Sequence, residues 1–229
     1  MPGSASPSIP SGNSAKGLDD MHIHGDLASG NCLKVKYTAD HLRLPYTWVA
    51  VDIMKGESRT PAFLAMNPAG QVPVVKLADG RCIAQSNAII RYLARGSALL
   101  PDDAFTQAKI DEWLFWEQYS HEPYVAVCRF HMHYKGLPKE TRDPEKVRRG
   151  EAALDLMEAA LGGRDWLAGE TLTIADVALV AYTRVAEQGG FDLGTRPRIR
   201  DWVERVEVDM GSIGLLAGER VSAQPRESS

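Results

Sequence analysis

The first half of the chain has apolar residues at two spacings, one typical of β-strands and one typical of α-helices. Residues 21–25 and 47–53 are predicted strands, because both runs are short and the second (TWVAVDI) alternates apolar with polar positions. Between them, residues 31–42 carry apolar side chains at helical spacing and are predicted to form a helix. A second helix is predicted over residues 61–66, with Thr60 as its cap and a proline at its first position.

A β-hairpin is predicted inside residues 67–87 (NPAGQVPVVKLADGRCIAQSN). Pro73 stands among strand-forming valines, which suits the first residue of a strand, and only an X–Pro bond becomes cis at low cost. A cis bond there would turn the N–H and C=O of Val72 outward, free to pair with a peptide. The Asp-Gly dipeptide at 79–80 closes two-residue hairpins, so Cys82–Ala84 should pair antiparallel with the strand before it.

An apolar helix is predicted directly after the hairpin, beginning near Ser86. The free N–H groups of a helix start, together with the helix dipole, form a site for a carboxylate. One segment therefore offers a backbone edge for a peptide and, beside it, an anion site. The order βαβα followed by ββα is accommodated by a mixed four-stranded sheet with helices on both faces.

The second half of the chain has only helical periodicity. After a candidate linker at residues 97–103, one long helix should end near Tyr134, and a second is opened by Asp143-Pro144 and stopped at 162–163. Thr173 to Asp176 form a capping box, in which Asp176 is expected to be structural. With a last helix at 198–206, this half is predicted to be all-α with about five helices.

Four regions follow from these patterns. Residues 1–20 are rich in Ser, Pro and Gly and are expected to be a disordered leader, upstream of a functional start at Met21. Residues 21–98 form the α/β domain, residues 104–216 form the helical domain, and residues 217–229 are expected to be a loose tail.

Composition narrows the possible functions. The 229 residues carry 26 basic and 30 acidic side chains, a net charge of −4, so no basic surface for nucleic acid is predicted. No apolar run is long enough for a membrane span. The three cysteines are scattered, which indicates a reducing, cytoplasmic compartment. His131 and His133 alone would make a poor metal site, so no metal is expected.

The pattern NPxGxVPxx…DG…xSxAI resembles the glutathione-binding half of the thioredoxin-like domain in cytosolic glutathione S-transferases. The resemblance covers residues 21 to about 215 and implies a thioredoxin-like domain followed by an all-helical domain. It implies that the Val72-Pro73 backbone pairs with the cysteinyl unit of glutathione. It also implies that Gln85 and Ser86 hold the γ-glutamyl end.

Catalysis would require the glutathione thiol, whose ordinary pKa is about 8.5, to become a thiolate. A hydrogen bond to sulfur and a helix N-terminus can lower that pKa. Ser29 resembles the serine of theta- and delta-type transferases (SGNC here against SxPC), and Asn31 resembles the asparagine in the TxN pattern of nu-type enzymes. Cys32 is similar to the active cysteine of beta- and omega-type members, although its register places it on the buried stripe. No tyrosine precedes Tyr37, which excludes the tyrosine-type classes.

Other residues are assigned by the same resemblance. Lys55 and Gln71 are candidates for the glycyl carboxylate, although Lys55 could equally be a solvated surface lysine. Tyr119 and Tyr124 are the candidates for the electrophile pocket between the domains. The helix that carries Tyr92 is the one that the family uses for dimer packing.

The sequence therefore predicts a cytoplasmic, homodimeric glutathione transferase that activates the thiol of glutathione, its co-substrate, for attack on soft electrophiles in detoxification. Two alternatives stay open: a glutathione-dependent disulfide or peroxide reductase, and a non-catalytic interaction module on the same fold.

Overall fold

The structure is a computed structural model that describes residues 20–211. Apart from Asp20, the predicted leader lies outside the described residues, as does the whole predicted tail at 217–229.

Four strands form one mixed sheet. They are β1 (His22–Gly25), β2 (Thr47–Ala50), β3 (Val74–Lys76) and β4 (Cys82–Ala84), arranged in the order β2-β1-β3-β4. β1 is parallel to β2 and antiparallel to β3, and β3 is antiparallel to β4. The mixed, four-stranded, thioredoxin-like sheet predicted from the sequence is confirmed.

β2 is shorter than the predicted strand at 47–53. It ends at Ala50 because the Asp52 N–H donates to Glu57 Oε2 at 2.7 Å, and the Asp52 carboxylate accepts from the N–H groups of Met54 and Lys55, at 3.0 and 3.1 Å. A side chain that bonds the backbone two and three residues ahead forms a turn, so the chain leaves the sheet at this point.

Helices cover both faces of the sheet, as predicted. They are α1 (Gly30–His41), α2 (Pro61–Met66) and α3 (Ser86–Leu93). Neighbouring side chains of a strand point to opposite faces. Accordingly, Val75 packs in the large core with α1 and α3, whereas Val74 packs with Phe63 of α2.

The second half is helical throughout the described residues. Its five α-helices are α4 (Ala104–Trp116), α5 (Glu122–Arg129), α6 (Pro144–Ala160), α7 (Ile174–Thr183) and α8 (Pro197–Asp209). Two π-helical segments, Glu117–His121 and Phe130–Tyr134, extend α4 and α5, so the predicted long helix does reach Tyr134. No helix within residues 20–211 is both long and apolar enough to cross a membrane.

The central helix α7 is fixed by the capping box predicted from the sequence. Thr173 and Asp176 cap each other, and Asp176 also accepts hydrogen bonds from the Leu167 N–H and the Trp202 indole, both at 2.9 Å. Every residue of α7 is buried. Because α7 packs on α1, this box sets the position of the second domain against the first.

Candidate functional site

A cleft of about 490 Å³ lies between the hairpin of the first domain and the helices of the second. Residues of both domains line this cleft. They include Ser29, Asn31, Arg59, Gln71, Val72, Pro73, Gln85, Ser86, Gln118, Glu122, Val127, Arg129, Phe130, Tyr134 and Tyr182. Seven of the ten residues predicted for the site are among them.

One wall is the exposed backbone before β3. The Val72–Pro73 bond is cis, as the sequence predicts. The N–H and C=O of Val72 have no partner in the described part of the chain, whereas the neighbouring Gln71 carbonyl accepts a hydrogen bond from Asn67 Nδ2 at 2.8 Å. This wall therefore offers one free donor and one free acceptor to an extended peptide.

The floor of the cleft is the start of α3. Gln85 precedes the helix with φ 71° and ψ 111°, outside the left-handed helical region, and Ser86 is the first helical residue. The buried Ser86 hydroxyl donates to Asn31 Oδ1 at 3.1 Å. The N–H groups of the first turn remain available to an anion.

Ser29 opens α1 from the N-cap position. Its carbonyl accepts the N–H groups of Cys32 and Leu33, but its side chain makes no capping bond. The competing capping role is not taken. The hydroxyl lies at the positive end of the α1 dipole and is shared between the Cys32 thiol and the Tyr182 hydroxyl.

Cys32 is fully buried beneath this loop. Burial raises the pKa of its thiol to about 12, although the Asp26 N–H, 3.4 Å from Sγ, and the Ser29 hydroxyl both favour the thiolate. A thiol held protonated at neutral pH is not a nucleophile. Cys32 is therefore a buried small residue, in agreement with its predicted register.

The Asn31 carboxamide joins the two domains. Its Oδ1 accepts from Lys34 Nζ at 2.8 Å, from the Ser86 hydroxyl at 3.1 Å and from Gln118 Nε2 at 3.3 Å. Its Nδ2 donates to Glu122 Oε1 at 3.4 Å. The oxygen is fully engaged, so Nδ2 is the side-chain atom that Asn31 can offer to a ligand.

A buried ion pair lies behind Asn31. Lys34 Nζ and Glu117 Oε2 are 2.8 Å apart, and neither side chain has any exposed surface. Asn87 and Gln118 also donate to this Oε2, at 3.2 and 2.8 Å. The pair fixes the first turn of α1 against the second domain.

Tyr182 reaches the site from the end of α7. Its hydroxyl accepts the Asn31 N–H at 3.3 Å. A Cβ on Gly30 would lie 2.6 Å from the ring, so a glycine is required for this approach. Burial, and then the charge of Glu122, raise the pKa of Tyr182, which keeps it a neutral phenol able to donate a proton.

The far wall is apolar with one cation. Val127, Phe130 and Tyr134 line it, and Arg129 lies over the Tyr134 ring, 5.6 Å from its centroid. The Arg129 guanidinium is held by the Ala28 carbonyl and by Gln188 Oε1, both at 2.7 Å.

Three predicted site residues do not line this cleft. Lys55 is 77% exposed and pairs with Asp52 at 3.0 Å, and Tyr119 is 81% exposed. The Tyr124 hydroxyl accepts from Arg149 Nη1 at 2.8 Å on the surface. The π-helical segment Glu117–His121 accounts for both tyrosines. Tyr119 lies within it and Tyr124 follows it, so its wider turn changes the direction of both side chains relative to a regular α-helix.

Arg59 occupies the end of the cleft where Lys55 was expected. Its Nη1 donates to the Ala69 carbonyl at 3.1 Å, and a Cβ on Gly70 would lie 2.5 Å from that nitrogen. Arg59, Glu122 and Tyr182 were all missed by the sequence analysis. For Arg59 a signal existed, a second basic residue in the same loop, but Glu122 and Tyr182 lie in helices whose periodicity reports burial and not partners. Among the described residues, no group of three or more His, Cys, Asp or Glu could hold a metal ion.

Comparison with known proteins agrees with this arrangement. Residues 28–95 match the family described as glutathione S-transferase, N-terminal domain, and residues 117–208 match its C-terminal domain. The chain is 30% identical over 225 residues to glutathione S-transferase theta-1 of Bos taurus, covering 91% of each protein.

Solved structures show the same architecture. A glutathione S-transferase from Pseudomonas fluorescens is 49% identical with a TM-score of 0.79, covering 82% of this chain and 94% of that one. Ure2p in complex with glutathione is 25% identical with a TM-score of 0.75, covering 89% of this chain and 95% of that one. With both halves matched in order, this chain belongs to the glutathione S-transferase family.

Proposed function

We propose that this protein is a glutathione transferase that binds glutathione along the Val72 backbone and activates its thiol for attack on soft electrophiles. The observation that carries the proposal is the convergence of three features in one cleft. They are the unpaired main chain of Val72, the start of α3 at Ser86, and the Ser29 hydroxyl at the start of α1.

The tripeptide would lie extended in this cleft. Its cysteinyl unit pairs with the N–H and C=O of Val72, before cis Pro73. The γ-glutamyl carboxylate binds at the first turn of α3, beside Ser86 and Gln85. The glycyl carboxylate lies at the other end, where Gln71 and Arg59 line the cleft and Lys55 does not.

Thiol activation is assigned to Ser29 with Asn31 in support. The Ser29 hydroxyl donates to the sulfur, and the α1 dipole adds to the stabilisation of the thiolate. Asn31 holds the Ser86 hydroxyl through Oδ1 and leaves Nδ2 facing the ligand. Catalysis then follows from the lowered pKa and from positioning, without a covalent enzyme intermediate.

The electrophile would bind against Val127, Phe130 and Tyr134. This wall suits a small apolar or aromatic electrophile, as expected of a detoxification enzyme. The Arg129 guanidinium beside it would stabilise charge that develops on a leaving group.

The wider setting proposed is a homodimer in the cytoplasm. Its support is the half-exposed Tyr92 on α3 and the three cysteines, which form no disulfide within the described residues. Arg91 is tied within the chain to Asp111 at 2.7 Å, so Tyr92 is the better candidate for the partner contact.

Conjugation of glutathione to a generic aryl halide tests this function. Ser29→Ala should lower kcat/KM by about 100-fold, the usual effect of removing one donor from a developing anion. Asn31→Ala should lower it by about 10-fold, because it removes a positioning contact. Thr171→Ala, which deletes an exposed hydroxyl elsewhere, is the control. A wild-type protein that does not bind glutathione at millimolar concentration would disprove the proposal.

A further inference from the structure

We infer that Glu122 is a specificity-determining residue that binds the free α-ammonium of the γ-glutamyl head, so that the second domain selects thiol peptides with an unmodified amino terminus. This inference rests on the proposed function, because it concerns the same bound tripeptide.

Glu122 is a carboxylate without a cation. It is the first residue of α5 and lines the cleft. Within residues 20–211 its side chain has one hydrogen bond, the 3.4 Å contact from Asn31 Nδ2, whereas a carboxylate can accept about four. No Lys, Arg or His of that part of the chain lies within 4.0 Å of it.

The local charges make this carboxylate a cation site. Burial raises the pKa of Glu122, and the charge of Glu117 raises it further. Lys34, the cation whose charge most favours an ionised Glu122, is committed at 2.8 Å to both Glu117 and Asn31. The carboxylates of Glu117 and Glu122 therefore share the single positive charge of Lys34. A ligand ammonium beside Glu122 would supply a second positive charge.

The position of Glu122 fits the γ-glutamyl head. Ser86 Oγ and Glu122 Oε1 bond the two ends of the same Asn31 carboxamide, at 3.1 and 3.4 Å. One amide group and two hydrogen bonds therefore separate the anion site at α3 from the carboxylate of Glu122. The carboxylate and ammonium of an α-amino acid are attached to one carbon, so one head group can occupy both sites.

A half-buried carboxylate such as that of Glu122 discriminates better than an amide. If the ligand amino group were acylated, the bound peptide would cover the Glu122 carboxylate without giving it a counter-charge, and a site that leaves a covered polar group unpaired disfavours such a ligand. Gln85, the other polar residue at this end, has an amide and brings no charge.

Calorimetry with glutathione and N-acetylglutathione tests the inference. The two peptides share the thiol and both carboxylates and differ in the ammonium. Wild type should bind glutathione at least about 10-fold more tightly than the acetylated peptide, as expected when a charged hydrogen bond is lost. Glu122→Gln should weaken glutathione binding by a similar factor and leave N-acetylglutathione binding within about 3-fold.

Controls separate this role from a structural one. Glu112→Gln, an exposed glutamate of α4, should keep the wild-type preference. Glu122→Asp should keep part of the preference, because the charge is retained one carbon further away. An equal loss of affinity for both peptides in Glu122→Gln would overturn this inference and leave the proposed function standing. Equal affinity of wild type for both peptides would do the same. Failure of wild type to bind either peptide would overturn the proposed function as well.

Discussion

At the scale of single residues, the structure distinguishes Ser29 from Cys32, two neighbouring candidates for catalysis in the sequence. Ser29 and Cys32 are three positions apart at the start of α1, yet Ser29 lines the cleft and Cys32 is completely buried. The helix that begins at Gly30 explains this, since it turns Cys32 inward toward Asp26 while the N-cap residue stays at the surface of the cleft.

Cys32→Ala should therefore reduce stability without abolishing catalysis. The change removes a buried sulfur and the acceptor of the Asp26 N–H, which should cost about 1–2 kcal/mol of unfolding free energy. Conjugation should stay within about 3-fold of wild type, because the thiol, with its pKa of about 12, takes no part. Urea unfolding and steady-state kinetics measure both, with the half-buried Cys82→Ala as control. Loss of turnover with intact glutathione binding would make Cys32 the nucleophile after all.

Tyr182→Phe, in contrast to Cys32→Ala, should lower the rate of catalysis. It keeps the ring against Gly30 but removes the hydroxyl that accepts the Asn31 N–H, so the start of α1 loses one restraint. We expect kcat/KM to fall by about 5- to 10-fold, near 1 kcal/mol of transition-state stabilisation, with glutathione affinity little changed. An unchanged kcat/KM would show that the phenol serves packing only.

At the scale of elements, local chemistry decided what could be predicted. The hairpin, the cis Val72–Pro73 bond and the capping box at Thr173 depend on neighbours within a few residues, and all three are present. Tyr119 was misplaced because it lies within the π-helical segment Glu117–His121, whose wider turn changes the direction of its side chain. Tyr182 could not be found, since its partner Asn31 is 151 positions away in the sequence.

His121, in the π-helical segment Glu117–His121, should make the stability of the folded protein depend on pH. Burial lowers the pKa of His121 from 6.5 to about 4, against the opposing charge of Glu117. Between these two values the unfolded chain binds a proton that the folded chain does not, so stability should fall as the pH is lowered from 6.5 to 4. The full loss amounts to about 3 kcal/mol.

Urea unfolding across this pH range measures the effect. His121→Gln can still form a hydrogen bond with Thr183, which now lies 3.1 Å from Nε2, but it cannot titrate. Its stability should therefore depend less on pH than that of wild type. Parallel pH profiles for the two proteins would contradict the assignment.

At the scale of the whole molecule, the buried Lys34–Glu117 pair links the domains. Lys34→Met should cost about 3–5 kcal/mol, because it leaves a buried carboxylate without its counter-charge. Adding Glu117→Leu should recover most of that loss. Lys109→Met, in the exposed pair with Glu112, is the control and should cost less than about 1 kcal/mol. Additive effects at Lys34 and Glu117 would show that the pair is not coupled.

The same pair explains why the site needs both domains. Lys34 holds the Asn31 oxygen at 2.8 Å, and Asn31 in turn holds Ser86 and contacts Glu122. Sequence patterns predicted the α/β first half and the helical second half, whereas the contacts between them depend on tertiary packing that periodicity does not encode. The hairpin with its cis Val72–Pro73 bond was therefore predicted in detail, and the wall of the cleft from the second half of the chain was not.

The most direct measurement is a pH titration of glutathione bound to the protein, followed by the ultraviolet absorbance of its thiolate. A free thiol titrates near 8.5, and a donor at a helix N-terminus lowers that value to about 7 or below. We predict such a lowered pKa in wild type and a return toward the free value in Ser29→Ala. A thiol that titrates in wild type as it does in solution would contradict the claim that this cleft activates glutathione.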